Sequence, residues 1–360
     1  MEAPLVKDLQ DPSTWGAVLR SARLHDINQR WADTALGDAD LDRPVVLFLH
    51  GWPESWFSWR HQLLAVKAAG YRGIAPDMRG YGGTAAPTHV ASYGVHALAG
   101  DMLALMRHVG AHRVALVGHD HGANLGWKLA LLHPEAFVCY MALSVPYGGR
   151  TRVPVLENYR QIFGDERKPE SDPDFFYMLH HNLPDGAKGY AKNTRAVFRV
   201  LFGDSAGATP APVSSKKLFV NGVAEPMWRR ARQPIALAPW ISESEVDYFV
   251  AEFERAGWDG GMNWYRVLDM DWHATPELQG ANLSQPVAFV AGLKDMVVNM
   301  YGGKDNIKKT LCKVCEQPPS LHFFDGAGHW IQQERPMEVN AILLEFLSSS
   351  YSVAPLRSNL

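Results

Sequence analysis

Unbroken apolar runs recur along the chain: VVLFL at Val45–Leu49, the centre of YRGIAP, the VALVG of RVALVG, and AFVCYMALSV ending near Ser144. Between them lie stretches whose apolar positions repeat at helical spacing, such as Val95 to Val109. A continuous apolar run fits a strand covered on both faces, and strands alternating with amphipathic helices imply a parallel sheet. From Pro146 to about Pro276 the alternation stops, and turn-rich or aromatic-rich pieces such as SAGATPAPVSS take its place. It resumes with QPVAFVAGL and SLHFFDGAG and closes with a helix-like stretch from Pro336 to Leu347. The pattern predicts an α/β fold. A mostly parallel central sheet flanked by helices should come from residues 1–145 and 277–360, with 146–276 inserted as a separate, mainly helical segment.

Composition narrows the partners. The 360 residues are 47% hydrophobic and 20% charged, enough to bury a substantial core. A net charge of -3 leaves no basic field for nucleic acid or an anionic membrane surface. The chain opens MEAPLVKDLQDPSTW, without a basic start or an apolar h-region, and shows no run of about 18 apolar residues, so a cytoplasmic protein without a membrane span is expected. Three cysteines are too few for a disulfide framework or a four-thiolate zinc site, and Cys312 and Cys315 read as incidental thiols. The terminal Ser358-Asn359-Leu360 differs from the peroxisomal S-K-L address by one residue, which leaves that location open.

Chemistry enters where two strands stop. VVLFL ends in His50-Gly51-Trp52-Pro53-Glu54, and the Gly-x-Pro forbids continuation of the strand. In open α/β sheets ligands bind at the carboxyl ends of strands, so this tight loop is a candidate site wall. RVALVG runs into Gly118-His119-Asp120-His121-Gly122 and then an amphipathic stretch, the strand-turn-helix context of a nucleophile elbow. The flanking glycines relieve crowding in the turn and leave the central side chain, Asp120, in the open. A lone G-x-D-x-G would as readily be a tight connection with Asp120 as a helix cap. The chain order nucleophile, acid, histidine decides otherwise, because PVAFVAGL ends at Asp295 and LHFFDGAG ends at His329. No Asp or Glu lies between Ala136 and Leu156, so the other plausible place for the acid is empty.

Taken together, HGWPES, DMRGYGGT, GHDHGA, GLKDMVV and GAGHWIQQERP resemble the α/β-hydrolase superfamily, specifically its soluble epoxide hydrolase family, from about Ala22 to Leu347. The resemblance implies that the inserted segment 146–276 is a cap over the active site. It also implies that Asp120 attacks an epoxide carbon to form an alkyl-enzyme ester, which water activated by His329 and Asp295 then cleaves to a vicinal diol. Backbone N–H groups of Trp52 and His121 would form the oxyanion hole, with a cis Trp52–Pro53 bond, and Glu54 and His119 would hold the hydrolytic water. An alkoxide leaves poorly at neutral pH and needs a proton donor. In the family two cap tyrosines supply it. Tyr177-Met-Leu-His-His-Asn-Leu-Pro184 is similar to the Y-x-x-x-F-Q-x-P segment, and Asn263-Trp264-Tyr265-Arg266 to the N-W-Y-R segment, which assigns Tyr177 and Tyr265.

The chain departs from that pattern at His121, where relatives commonly carry tryptophan, at His181 in place of phenylalanine, and at Asn182 in place of glutamine. The partners expected are a small apolar epoxide and water, with no cofactor or metal, and a homodimer remains one open assembly. Two rival readings remain: a haloalkane or haloacid dehalogenase of the same fold, or a non-catalytic binding protein built on it. The first usually places a tryptophan after the nucleophile, and its fluoroacetate-type variant uses arginines there. Gly122 to Leu132 contains none.

Overall fold

The computed structural model describes residues 11–164, 176–203 and 236–353. The stretch SAGATPAPVSS and the terminal Ser358-Asn359-Leu360 lie outside the described residues. The chain divides into two compact units. One holds residues 12–78, 98–150 and the described residues from 277 on. The other holds Asp11, residues 79–97 and the described residues of 151–276.

The first unit is built on an eight-stranded sheet. Its strands are β1 (Val18–Leu24), β2 (Ile27–Asp33), β3 (Val45–Leu49), β4 (Arg72–Pro76), β5 (Val114–His119), β6 (Phe137–Leu143), β7 (Val287–Gly292) and β8 (Ser320–Phe324), in the order β1-β2-β4-β3-β5-β6-β7-β8. β1 pairs antiparallel with β2, and β2 antiparallel with β4. The other five pairings are parallel. Every residue of β3, β5, β6 and β7 is buried, which is why those strands read as unbroken apolar runs. β1 and β2 do not read that way. β1 is half exposed at the sheet edge and carries Arg20, Ser21 and Arg23, so its strand character comes from pairing with β2 and not from an apolar run. The helix from Val95 ends at His108, one residue before the Val109 that its periodicity predicts, and the final helix runs from Pro336 past the expected Leu347 to Val353.

The second unit is helical among its described residues, with helices Val155–Phe163, Tyr177–His180, Gly186–Lys192, Thr194–Leu201, Glu243–Ala256, Asp259–Arg266 and Leu268–Ala274. The longest of these shows why such a segment folds. Ser242 Oγ accepts from the Glu245 N–H while Glu245 returns a bond to the Ser242 N–H at 2.8 Å, so a capping box starts the helix. Gly257, at φ 76°, ends it with its N–H on the Phe253 carbonyl. Between those ends, Phe249 and Phe253 pack on Phe198 with ring centroids 5.5 and 5.2 Å apart, and Trp258 lies 4.5 Å from Phe253. These aromatic contacts give the unit its own core. No helix among the described residues is long and apolar enough to cross a membrane.

Candidate active site

The carboxyl ends of β3, β5, β7 and β8 each deliver one group. β5 ends at His119, and Asp120 follows in a strained conformation (φ 52°, ψ −118°) before the helix His121–Leu132 begins. The turn is possible because Gly118 and Gly122 have no side chains. A Cβ on Gly118 would lie 2.5 Å from the Gly122 carbonyl oxygen, and one on Gly122 only 2.1 Å from that of Leu49. Strain and close packing together present Asp120 with its side chain 16% exposed.

Asp120 Oδ1 accepts the Trp52 N–H at 2.8 Å. His121 opens the helix, so its N–H is one of the donors that a helix start leaves unbonded within the helix. His329 Nε2 stands 3.6 Å from Asp120 Oδ2, and its Nδ1 is 3.0 Å from Asp295 Oδ2. Asp295 is itself fixed, since its other oxygen caps the next helix by accepting from Val297 N–H at 2.8 Å. An imidazole thus lies between two carboxylates. Burial opposes its charge, but Asp295 and Asp120 outweigh that and hold the His329 pKa well above its ordinary value. Burial likewise opposes the charge on Asp120, yet its bond to His329 and the nearby His121, His329 and His119 outweigh it and hold the carboxyl far below its usual range. Asp120 is therefore a carboxylate at any physiological pH.

The HGWP loop is held by hydrogen bonds at both of its ends. The His50 Nε2 accepts the Met78 N–H at 2.9 Å, and its Nδ1 lies 2.9 Å from the Gly51 carbonyl, which can only accept. That fixes one neutral tautomer, and burial lowers the His50 pKa further. The Trp52–Pro53 peptide is cis. Glu54, fully buried, accepts from Gly51 N–H at 2.6 Å, Gln332 Nε2 at 2.9 Å and His119 Nδ1 at 2.8 Å. Burial opposes its ionisation, but the His119 imidazole outweighs that and lowers its pKa. The other His119 nitrogen, Nε2, donates to the His329 carbonyl at 2.8 Å, and Ser144 Oγ donates to the same oxygen at 2.8 Å. Glu54 and His119 are thus linked to the backbone carbonyl of His329.

His119→Ala leaves the buried Glu54 carboxylate without its imidazole partner, a change expected to destabilise the fold by about 3–5 kcal/mol. Urea unfolding monitored by circular dichroism measures it. A loss below about 1 kcal/mol, the value of an exposed pair, would show that Glu54 is solvated in solution.

The two tyrosines belong to the helical unit. Tyr177 opens the helix Tyr177–His180, and Tyr265 is buried in Asp259–Arg266, with the ring centroids 6.2 Å apart and the planes at 79°. Arg266 ties the two segments together, donating to Asn263 Oδ1 and to the Leu183 carbonyl, each at 2.9 Å. Trp264 donates to the Arg79 carbonyl at 2.9 Å, and Asn182 to the Met178 carbonyl at 2.7 Å.

Two supporting residues escaped the sequence reading. Gln332 sits inside the quoted GAGHWIQQERP, three positions after His329, but glutamine carries no chemistry of its own to draw attention. Ser144, at φ 67° just past the end of β6, is one of many serines. One cluster of ligand-type side chains occurs among the described residues: His25 Nδ1 lies 3.1 Å from Asp101 Oδ1 and 3.4 Å from Asp26 Oδ1. It sits at the β1–β2 turn against a helix, not at the strand ends that carry Asp120, and has the geometry of an ion pair.

A family model described as the alpha/beta hydrolase fold matches residues 44–336. Epoxide hydrolase A of Mycobacterium tuberculosis is 38% identical over 307 residues, which cover 85% of this chain and 90% of that protein. Among solved structures, epoxide hydrolase A from Mycobacterium thermoresistibile superposes with a TM-score of 0.78 at 34% identity, covering 92% of this chain and 98% of the other. An epoxide hydrolase from an endophytic Streptomyces gives 0.81 at 32% identity, covering 94% and 97%.

Proposed function

Because the chain belongs to the epoxide hydrolase family of the α/β-hydrolase fold, we propose that it hydrolyses small apolar epoxides to vicinal diols through an ester on Asp120. The observation that carries this is the aspartate on the elbow: a carboxylate, not a serine, faces the imidazole that Asp295 orients.

In this reading Oδ1 stays with the Trp52 N–H and Oδ2 attacks a ring carbon. The C–O bond breaks, its electron pair goes to the epoxide oxygen, and Tyr177 or Tyr265 supplies the proton that makes it a hydroxyl. Water then attacks the ester carbonyl while His329 Nε2 takes its proton. The tetrahedral oxyanion is received by the N–H groups of Trp52 and His121. Its collapse breaks the alkyl ester C–O bond, the proton held on His329 passes to the departing alkoxide to give the diol, and the Asp120 carboxyl gives up its remaining proton to the tyrosinate, restoring both the carboxylate and the phenol. Glu54 and His119 act on the water through His329, whose carbonyl His119 holds. Residues 146–276 form the cap that carries both tyrosines.

Ring opening and ester hydrolysis should respond differently to pH. Asp120 stays ionised to strongly acidic pH, so alkylation has no acid limb of its own. Esterification removes the Asp120 charge and with it part of what holds the His329 pKa up, so the imidazole sheds its proton more readily and can act as base. Turnover of styrene oxide, followed by chromatography of the diol, tests the activity. Across about pH 5 to 8, single-turnover alkylation should be flat, while ester hydrolysis falls about tenfold per pH unit on the acid side of the His329 titration. Failure to form diol would reject the proposed activity. An acid limb on alkylation alone would reject the division of labour between Asp120 and His329.

A further inference from the structure

His181 stands immediately after the helix that Tyr177 opens, and its own N–H donates to the Tyr177 carbonyl at 2.9 Å. The side chain is 0% exposed. It is enclosed by three tyrosines, with Tyr265 at 4.5 Å between ring centroids and 70° between planes, Tyr177 at 5.3 Å and 75°, and Tyr190 at 5.3 Å and 74°. His181 Nε2 and Tyr190 Oη share a hydrogen bond at 2.8 Å. Tyr190 is equally anchored. It is 3% exposed, and its ring lies 5.1 Å from that of Trp258, whose indole N–H donates to Thr194 Oγ1 at 3.1 Å.

Apolar packing alone does not require an imidazole here. A phenyl ring fills similar space, and burying a polar ring is unfavourable unless its nitrogens are bonded. What the imidazole adds is direction. The bond to Tyr190 restricts rotation of the His181 ring, and both Tyr177 and Tyr265 stand edge-to-face with it, so the tilt of each phenol follows that of the imidazole. We propose that His181, held by Tyr190, is a positioning residue for epoxide ring opening that sets where the Tyr177 and Tyr265 hydroxyls point. The inference rests on the reading of those two tyrosines as proton donors. It assigns His181 and Tyr190 no contact with substrate. Their effect is confined to the step in which the tyrosines act.

The test separates the two half-reactions in His181→Phe, Tyr190→Phe and the double variant, using rapid quench and intact-protein mass spectrometry with styrene oxide. Each single change should slow alkylation about tenfold or more, as a small misplacement of a catalytic group does, and leave hydrolysis of the ester at its wild-type rate. The double variant should be no slower than the slower single one, because both changes remove the same bond. Wild-type alkylation in Tyr190→Phe overturns the inference, and that variant remains informative if His181→Phe does not fold. A slowing shared equally by both half-reactions also overturns it, since that is what a purely structural role produces. The Tyr177→Phe/Tyr265→Phe double variant measured beside them distinguishes the failures. If it alkylates at the wild-type rate, the proton-donor reading itself falls. If it is slow while the His181 and Tyr190 variants are fast, only the positioning inference falls.

Discussion

The Tyr177→Phe/Tyr265→Phe double variant is expected to open epoxides about 10²–10⁴-fold more slowly than the unaltered protein, the range a positioned general acid supplies. Each single variant should retain part of the rate, because the surviving hydroxyl can still donate. The substitutions remove one oxygen apiece and keep the ring contact between the two residues, so folding should survive. The expected loss also depends on the leaving group. An alkyl halide releases halide without protonation, and any turnover of such a substrate should be untouched by the double change. Rapid-quench measurement of ester formation reads the effect directly. Unchanged ring opening in the double variant would remove the main ground for preferring an epoxide over a haloalkane as substrate.

How much of this was legible in the sequence depends on what each residue had to signal. β3, β5, β6 and β7 are buried on both faces, so apolar runs announced them, whereas β1 and β2 are held by pairing and gave no such sign. Asp120 could be found because a strained elbow demands Gly118 and Gly122, a requirement written in the sequence itself. Asp295 and His329 could be found because each follows the carboxyl end of a strand, three residues past β7 and five past β8. The helical unit was legible chiefly as a gap in the strand alternation. Its tyrosines came from resemblance, since no periodicity distinguishes Tyr177 or Tyr265 from other buried aromatics. The bonds that hold the site rigid were not legible at all. His119 on the His329 carbonyl spans 210 positions, and Gln332 on Glu54 spans 278, so these partners meet only through the tertiary fold.

The second large effect concerns Asp120 and His329, which are assigned to different half-reactions. Asp120→Ala removes the nucleophile, so it should form no ester and no diol. His329→Gln keeps the nucleophile and the Trp52 N–H but loses the base, so ester formation should continue while its hydrolysis falls about 10²–10⁴-fold. Asp120 loses one of the groups that lower its pKa in this variant, yet His121 and His119 remain beside it. It should therefore still be ionised near neutral pH and able to attack. Steady-state turnover is nearly abolished in both variants, for opposite reasons.

Intact-protein mass spectrometry of His329→Gln mixed with styrene oxide tests the covalent route most directly. The account predicts a species heavier by one substrate, with the added mass on the peptide that contains Asp120, and no such species in Asp120→Ala. Direct attack of water on the epoxide, with His329 as its base, predicts no adduct in either variant. A folded, substrate-binding His329→Gln protein that stays at its unmodified mass would contradict the ester intermediate.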